Sequence, residues 1–406
     1  MERKKQKKKW MRFRHRVVTA FGRAVLYPYA KLRFGLQLER FREQGDRPYL
    51  IVMNHQTTFD QFFVAMAFRG PVYYIATEDI FSLGWVSKVI RFLVAPIPIK
   101  KQTTDVQAVI NCVRVAREGG TIALAPEGNR TYSGKTEYIK PAIVKLARAL
   151  KLPVAVFRIE GGYGVQPRWS DVNRRGTMRA GVSRVIEPEE YKALSDDEFC
   201  ELLRKELYVN EGCLSGQFHH KKSAEYLERA MYVCPWCGLS TFESHDDVIE
   251  CKKCGRKIRY LPTKELQGVG FDFPHRFVND WYDAQSDFIN ALDVTAFRDE
   301  PLYRDRVKLS EVVLYDRKRP LRDETELALY GDRILVGGEG EEQILLPFDE
   351  VTAVVVLGRN KLNVYHDGRV YQMKGDKRFN ALKYVNIYYR CQNIKEGNID
   401  GKFLGL

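Results

Sequence analysis

Apolar and polar positions follow two different periods in the first half of the chain. Apolar runs typical of buried strands occur at residues 49–53, 72–76, 121–125 and 154–159. Between and after these runs, apolar residues recur every three or four positions, which predicts helices at residues 59–68, 106–117, 139–150 and 188–208. Strands that alternate with helices predict an α/β domain with a mostly parallel sheet flanked by helices. We assign this domain to residues 34–215.

The last hundred residues have a different pattern, in which short apolar runs are separated by turns. The runs lie at residues 327–330, 334–336, 344–346, 351–357, 362–365 and 370–373. Asp367–Gly368 is a strong signal for a two-residue hairpin. We therefore predict a mainly antiparallel β domain at residues 305–395, closed by a helix over residues 379–391. A strand meander capped by one helix resembles a pleckstrin-homology-like domain. Residues 209–230 look like a linker, and residues 263–304 show no clear period.

The N-terminal arm, residues 1–33, combines a polybasic run with an amphipathic pattern. Apolar residues recur at helical spacing at Trp10, Phe13, Val17, Phe21, Ala24 and Val25. A basic amphipathic helix is typical of a segment that lies in a membrane interface. The alternative is a helix that packs on the protein's own core behind a solvated basic tail. We favour the membrane interpretation, because a polybasic run is attracted to an anionic leaflet.

Composition supports a folded chain that meets an anionic surface. The chain has 406 residues, 45% of them hydrophobic, and a formal net charge of +14. Residues 1–33 alone carry +11 of that charge, so the cations do not cover a folded face as they often do in nucleic-acid binders. No apolar run of about 18 residues predicts a spanning helix, and no secretory signal is evident. We expect a peripheral or monotopic protein on the cytoplasmic face of a membrane.

The stretch from Asn54 to Asp60 carries the first candidate chemistry. It places His55 and Asp60 five residues apart, across a predicted strand-to-helix loop. A neutral imidazole can accept a proton from a hydroxyl near pH 7, and a carboxylate on its other nitrogen would fix its tautomer. No serine or cysteine nucleophile motif surrounds the pair. We therefore expect the substrate to bring the hydroxyl that His55 deprotonates.

A second stretch, from Pro126 to Arg130, also follows a predicted strand. Gly128 allows a close approach to the backbone, and Arg130 offers a planar fork for a phosphate. Upstream, Lys100 and Lys101 supply two more cations after another apolar run. Together these residues predict a pocket for a phosphorylated acceptor.

In order and spacing, these stretches resemble the motif blocks of the glycerolipid acyltransferases, the 1-acylglycerol-3-phosphate acyltransferase family, over about half the chain. Lys100 or Lys101 stands where that family usually has an arginine, and Pro153 matches a fourth block. The resemblance implies that a fatty acyl group moves from acyl-CoA or acyl carrier protein to a lysophospholipid. His55 would be the general base and Asp60 would orient it. Glu127, Gly128, Arg130, Lys100 and Lys101 would bind the acceptor, with Glu127 on a glycerol hydroxyl or positioning Arg130.

Four of the eight cysteines form two pairs, Cys234 with Cys237 and Cys251 with Cys254. Each second cysteine is followed by glycine, and four thiolates bind Zn²⁺ in a closed tetrahedral shell. We therefore predict a zinc ribbon at residues 231–262, with Zn²⁺ in a structural role.

Two other functions fit parts of the sequence. The chain would be a catalytically silent acyltransferase-like scaffold if it acts only through its ribbon and tail, binding protein or nucleic acid. It would be a zinc-dependent nucleic-acid binder if the basic ribbon were its main surface. The intact His55–Asp60 pair opposes the first alternative. The concentration of charge in the N-terminal arm argues against nucleic acid as a partner.

Overall fold

The computed structural model describes residues 9–81, 84–99, 105–313 and 318–405. The chain divides into two compact units. The first comprises Met1–Asn129, Thr136–Gly162 and Thr177–Val209, and the second comprises Arg130–Lys135, Tyr163–Gly176 and Asn210–Leu406.

The first unit is built on a seven-stranded sheet. Its strands are β1 (Leu36–Leu38), β2 (Leu50–Met53), β3 (Val72–Thr77), β4 (Ile97–Ile99), β5 (Thr121–Leu124), β6 (Val154–Glu160) and β7 (Met178–Ile186). The order across the sheet is β1-β7-β6-β2-β5-β3-β4. Neighbouring strands are parallel except β6 and β7, which confirms the predicted mostly parallel α/β fold.

Helices connect these strands. They are α1 (Phe13–Phe34), α2 (Asp60–Ala67), α3 (Glu78–Phe81), α4 (Trp85–Leu93), α5 (Val106–Arg117), α6 (Ala142–Leu150), α7 (Gly162–Val165), α8 (Pro188–Lys192) and α9 (Asp196–Leu207). Of these, α7 belongs to the second unit except for its first residue. The single helix predicted over residues 188–208 is wrong, because Ser195 caps a new helix there and forms a capping box with Glu198. The sequence pattern also missed α4.

The core of the first unit lies on both faces of β2, whose four residues are all buried. Leu50 and Val52 pack in one cluster with residues of α5, α6 and α9. On the other face, α1 and α2 meet through the rings of Phe34 and Phe63. Helix α1 is tied to the core at His15, whose Nδ1 lies 3.0 Å from the Tyr73 hydroxyl.

The second unit is largely antiparallel. Its strands are β8 (Val233–Cys234), β9 (Gly238–Leu239), β10 (Phe242–His245), β11 (Val248–Cys251), β12 (Lys257–Tyr260), β13 (Leu266–Gly268), β14 (Tyr303–Glu311), β15 (Arg319–Leu329), β16 (Arg333–Val336), β17 (Ile344–Pro347), β18 (Val351–Leu357), β19 (Lys361–His366) and β20 (Arg369–Gly375). Strands β14–β20 form a seven-stranded sheet in the order β17-β16-β15-β14-β20-β19-β18. The predicted antiparallel C-terminal β domain is thereby confirmed.

The longer helices of the second unit are α10 (Val278–Ala291) and α11 (Leu382–Lys395). Helix α11 packs on β18 and is the closing helix that the sequence predicted. Helix α10 falls in the stretch where no period was recognised. Leu227 and Ala230, in the stretch that resembled a linker, are buried in the core of this unit. In the described part of the chain, no helix has both the length and the apolar content needed to cross a bilayer.

Candidate active site and metal centre

The candidate active site forms where three neighbouring parallel strands end. Strand β2 lies between β5 and β6, so the loops that follow these strands leave the sheet at the same edge. Asn54 directly follows β2, and its side-chain amide exchanges two 2.8 Å hydrogen bonds with the backbone of Ile159 on β6. These bonds extend the ladder beyond the last strand residue and anchor the start of the His55 loop.

His55 and Asp60 form the dyad that the sequence predicted. Nδ1 of His55 lies 2.7 Å from Oδ2 of Asp60, across the start of α2. Asp60 is fully buried, whereas about a quarter of the His55 side chain is exposed. An ionised carboxylate only accepts hydrogen bonds, so the proton of a neutral His55 lies on Nδ1. Nε2 is then the nitrogen that can accept a proton from another molecule.

The Asp60 carboxylate is held by its own loop. Oδ2 accepts the backbone N–H of Gln56 at 2.7 Å, and Oδ1 accepts the hydroxyl of Thr57 at 2.6 Å. The backbone N–H of Thr57 lies 3.0 Å from both oxygens. Asp60 is also the first residue of α2, where the helix dipole favours a negative charge. The loop therefore fixes the position of the carboxylate that orients His55.

Glu127 joins the two predicted motif stretches. Its Oε1 accepts the backbone N–H of His55 at 2.7 Å, and its Oε2 accepts the backbone N–H of Glu137, also at 2.7 Å. The side chain is buried, and this burial raises the pKa of Glu127 well above its usual range, although the two N–H donors oppose the shift. The predicted contact of Glu127 with the acceptor stays a prediction, since in the structure both oxygens are occupied by backbone donors.

The other predicted acceptor-binding residues are distributed differently. Gly128 has a φ of +75°, and a Cβ atom there would have open space within 4 Å. This backbone conformation favours glycine and leaves the turn accessible. Arg130 belongs to the second unit, where it is buried and its carbonyl accepts a 2.8 Å hydrogen bond from Arg168. Lys100 and Lys101 lie outside the described residues.

Sequence reasoning missed the residues that support this site. Asn54 and Thr57 lie in the stretch that pointed to His55, and their small polar side chains next to a strand end were the available signal. The N–H of Glu137 carried no signal, because any residue except proline provides a backbone donor.

The four cysteines of the predicted metal centre lie close together in the structure. The sulfur atoms of Cys234, Cys237, Cys251 and Cys254 all lie within 4.8 Å of one another. Strands β10 and β11 form the hairpin that connects the two cysteine pairs. Gly238 and Gly255, which follow the second cysteine of each pair, have φ values of +66° and +70° and make the tight turns.

The dimensions of the cluster fit Zn²⁺. Zn–S bonds of about 2.3 Å in a tetrahedron separate the sulfur atoms by about 3.8 Å. The sulfur atoms of Cys234 and Cys254 are 3.9 Å apart. Four thiolates complete the coordination shell, so the ion would have no open position for a substrate and would stabilise the fold.

Comparison with known proteins supports an acyltransferase domain in the N-terminal half. The acyltransferase family model matches residues 36–160. A chloroplastic 1-acyl-sn-glycerol-3-phosphate acyltransferase of Brassica napus is 22% identical over 201 residues, which are 48% of this chain and 55% of the relative. Its counterpart from Arabidopsis thaliana is also 22% identical, over 48% of this chain and 53% of the relative. The chain thus spans about half the length of the curated relatives it matches.

A solved structure is similar to part of the chain. The 1-acyl-sn-glycerophosphate acyltransferase PlsC of Thermotoga maritima is 21% identical, with a TM-score of 0.40. The match covers 47% of this chain and 75% of that protein.

Proposed function

We propose that this chain is a membrane-associated acyltransferase. It moves a fatty acyl group from acyl-CoA or acyl carrier protein to the hydroxyl of a lysophospholipid, with 1-acylglycerol-3-phosphate as acceptor and phosphatidic acid as product. The observation that carries this proposal is the His55–Asp60 dyad, with Nδ1 and Oδ2 2.7 Å apart at the carboxyl edge of the parallel sheet. The match of residues 36–160, which include the dyad, to the acyltransferase family model gives further support.

The reaction needs one general base and no enzyme nucleophile. Nε2 of His55 accepts the proton of the acceptor hydroxyl while the hydroxyl oxygen attacks the thioester carbonyl carbon. A new C–O bond forms and the C–S bond breaks. The proton then passes from Nε2 to the departing thiolate, which leaves as a free thiol. Asp60 stabilises the imidazolium that exists between these steps.

The acceptor phosphate needs cations, and the sequence offers several. We assign this role to Arg130 with Lys100 or Lys101, because a guanidinium binds phosphate in bidentate fashion and an ammonium adds a point charge. The open turn at Gly128 leaves room for the acceptor beside the backbone. Glu127 acts as a positioning residue in this scheme, since its hydrogen bond to the His55 N–H fixes the start of the catalytic loop.

The N-terminal arm provides the membrane association. Along α1, the apolar side chains of Phe13, Val17, Phe21 and Val25 are more than half exposed. They lie four residues apart, so they form one stripe on the helix. This exposed stripe supports the membrane-interface interpretation of residues 1–33, while the other side of α1 packs on the core through His15 and Phe34. We place the enzyme on the cytoplasmic face of an anionic membrane.

The ribbon has a supporting role. Zn²⁺ bound by Cys234, Cys237, Cys251 and Cys254 stabilises the second unit and takes no part in acyl transfer. Several cations of the ribbon pair with its own acids, as Arg259 does with Asp247 at 3.0 Å. This pairing supports a solvated face rather than a nucleic-acid surface.

An acyl-transfer assay with both thioester donors against a panel of lysophospholipids tests the proposal. We expect wild-type protein to transfer the acyl group and His55→Ala to lose at least about a hundredfold in kcat. His219→Ala is the matched control, because His219 is exposed and lies in the second unit. If wild-type and His55→Ala protein are equally inactive with every pair of substrates, a silent scaffold is the better explanation.

A further inference from the structure

Helix α4 carries a row of apolar side chains that the described residues of its unit leave largely exposed. Trp85, Val89, Phe92 and Leu93 follow the spacing of one helix face, with exposed fractions of 70%, 42%, 58% and 36%. A helix in a folded domain normally buries such a row against the core. A large exposed apolar surface on a folded chain commonly marks an interaction site.

This row adjoins the exposed stripe of α1. Nε of Arg14 on α1 donates a 2.7 Å hydrogen bond to the carbonyl of Phe92, and the Arg14 guanidinium lies 4.0 Å from the centre of the Phe92 ring. Just before α1, the indole N–H of Trp10 donates to the carbonyl of Ala95 at 3.0 Å. The start of α1 and the end of α4 are therefore held side by side.

The charges on both helices have one sign. The sequences of α1 and α4 contain no aspartate or glutamate. Helix α4 presents Lys88 and Arg91 as exposed cations beside its apolar row, and α1 presents Arg16 and Arg33. A partner for this surface must accept apolar side chains and compensate positive charge.

We propose that α4 is a second membrane-interface helix, and that α1 and α4 form one footprint on an anionic bilayer. A bilayer supplies both the apolar interior and the negative headgroups that these helices require. A second copy of the chain would bring cations against cations, which costs free energy. The inference extends the proposed function, in which residues 1–33 alone anchor the chain.

The footprint also orients the enzyme. Helix α4 follows β3 and α3, and β3 is parallel to β5, so β3 ends at the edge of the sheet where His55 and Glu127 lie. The Phe34 ring at the end of α1 lies 4.8 Å from the ring of Phe59, in the loop that follows β2, so one end of a bilayer footprint on α1 and α4 would reach this edge. The membrane-embedded acceptor could then reach the site without leaving the lipid. This consequence, unlike the footprint itself, rests on the proposed acyl transfer.

Vesicle co-sedimentation of the full chain tests the footprint. The vesicles contain equal parts of phosphatidylcholine and phosphatidylglycerol, and no acyl donor is present. We expect the double variant Trp85→Ser with Phe92→Ser to bind at least about tenfold more weakly than wild type, because two large apolar side chains no longer enter the interface. Leu345→Ser with Ile399→Ser is the matched control, since it removes two exposed apolar side chains from the second unit and should bind like wild type.

A second measurement locates Trp85 itself. Vesicles with bromine-labelled acyl chains quench the fluorescence of an indole that enters the bilayer. We expect quenching of wild-type protein and much less quenching of Trp85→Phe, which keeps an apolar ring and should still sediment with the vesicles. Unfolding midpoints equal to that of wild type show that both α4 variants are folded.

Each contrary result has a defined meaning. Equal sedimentation of wild type and the α4 double variant, or equal quenching of wild type and Trp85→Phe, overturns the inference. Light scattering that shows a wild-type dimer and a monomeric α4 variant would identify a second copy as the occupant. Binding that depends on α4 in a chain without acyl transfer would keep the footprint and overturn only the proposed function.

Discussion

The carboxylate of Glu127 accepts a 2.7 Å hydrogen bond from the backbone N–H of His55, although the two residues are 72 positions apart. This hydrogen bond can form because β2 and β5 are neighbouring parallel strands. The loop with His55 follows β2, and the loop with Glu127 follows β5. Glu127 also accepts a hydrogen bond from the backbone N–H of Glu137, so one buried side chain connects three segments of the chain. The position of the proposed base therefore depends on a residue from the other motif stretch.

Glu127→Gln should separate a positioning role from an acceptor-binding role. The amide nitrogen cannot accept a hydrogen bond, so one of the two N–H donors loses its partner, at a cost of about 1–3 kcal/mol in unfolding free energy. A shifted His55 loop should lower kcat about ten- to a hundredfold with little change in the acceptor KM. Steady-state kinetics and urea unfolding measure both effects. A raised acceptor KM at unchanged kcat would favour acceptor binding instead. Glu137→Gln, which keeps the backbone donor, is the control.

Asp60→Asn should inactivate the enzyme without removing the side chain. An asparagine can present its NH₂ group to His55 Nδ1, which would move the histidine proton to Nε2 and block proton acceptance there. We expect kcat to fall about 10²- to 10⁴-fold. Thr57→Val, which removes one donor to the carboxylate but keeps the contact of His55 with Asp60, should lose less than about tenfold. Comparable losses in the two variants would contradict this assignment of roles.

Cys251→Ser should release the metal and destabilise the second unit. We expect elemental analysis to find about one zinc ion per wild-type chain and far less in the variant, with a lower unfolding midpoint. Cys213→Ser serves as the control because Cys213 is exposed and is not one of the four clustered cysteines. If wild-type protein purified without chelator contains no zinc, the four clustered cysteines do not form the proposed metal centre.

His15 should make the stability of the first unit depend on pH. Burial, followed by the charges of Arg14 and Arg12, lowers the pKa of His15 below 6.5. The unfolded chain then binds more protons than the folded chain as the pH falls through 6.5, so stability is retained above this value and lost below it. Urea unfolding of wild type and His15→Asn between about pH 7.5 and about pH 5.5 measures the effect. The unfolding free energy of wild type should exceed that of the variant by less as the pH falls. A difference in unfolding free energy that does not change with pH would contradict the prediction.

Much of the fold followed from local pattern. The apolar runs that predicted β2, β3, β5 and β6 fill a sheet covered on both faces, so they carry a strong signal. Helix α4 was missed although Trp85, Val89, Phe92 and Leu93 have helical spacing, because nine residues give only a short stretch of that pattern. The split between α8 and α9 depended on Ser195, a cap inside an otherwise periodic stretch. The domain ranges 1–33, 34–215, 231–262 and 305–395 and the pleckstrin-homology-like resemblance stay predictions.

The order of amino acids already shows which chemical groups the protein has and where they follow strands: a histidine five residues before an aspartate, a glycine turn, and two cysteine pairs. These are properties of neighbouring residues, so they can be read along the chain. The folded chain was needed to show that Glu127 holds the His55 loop and that α4 lies exposed beside α1. Both depend on strand order and on packing between distant segments, because burial and partner choice are set by the whole domain rather than by any one stretch.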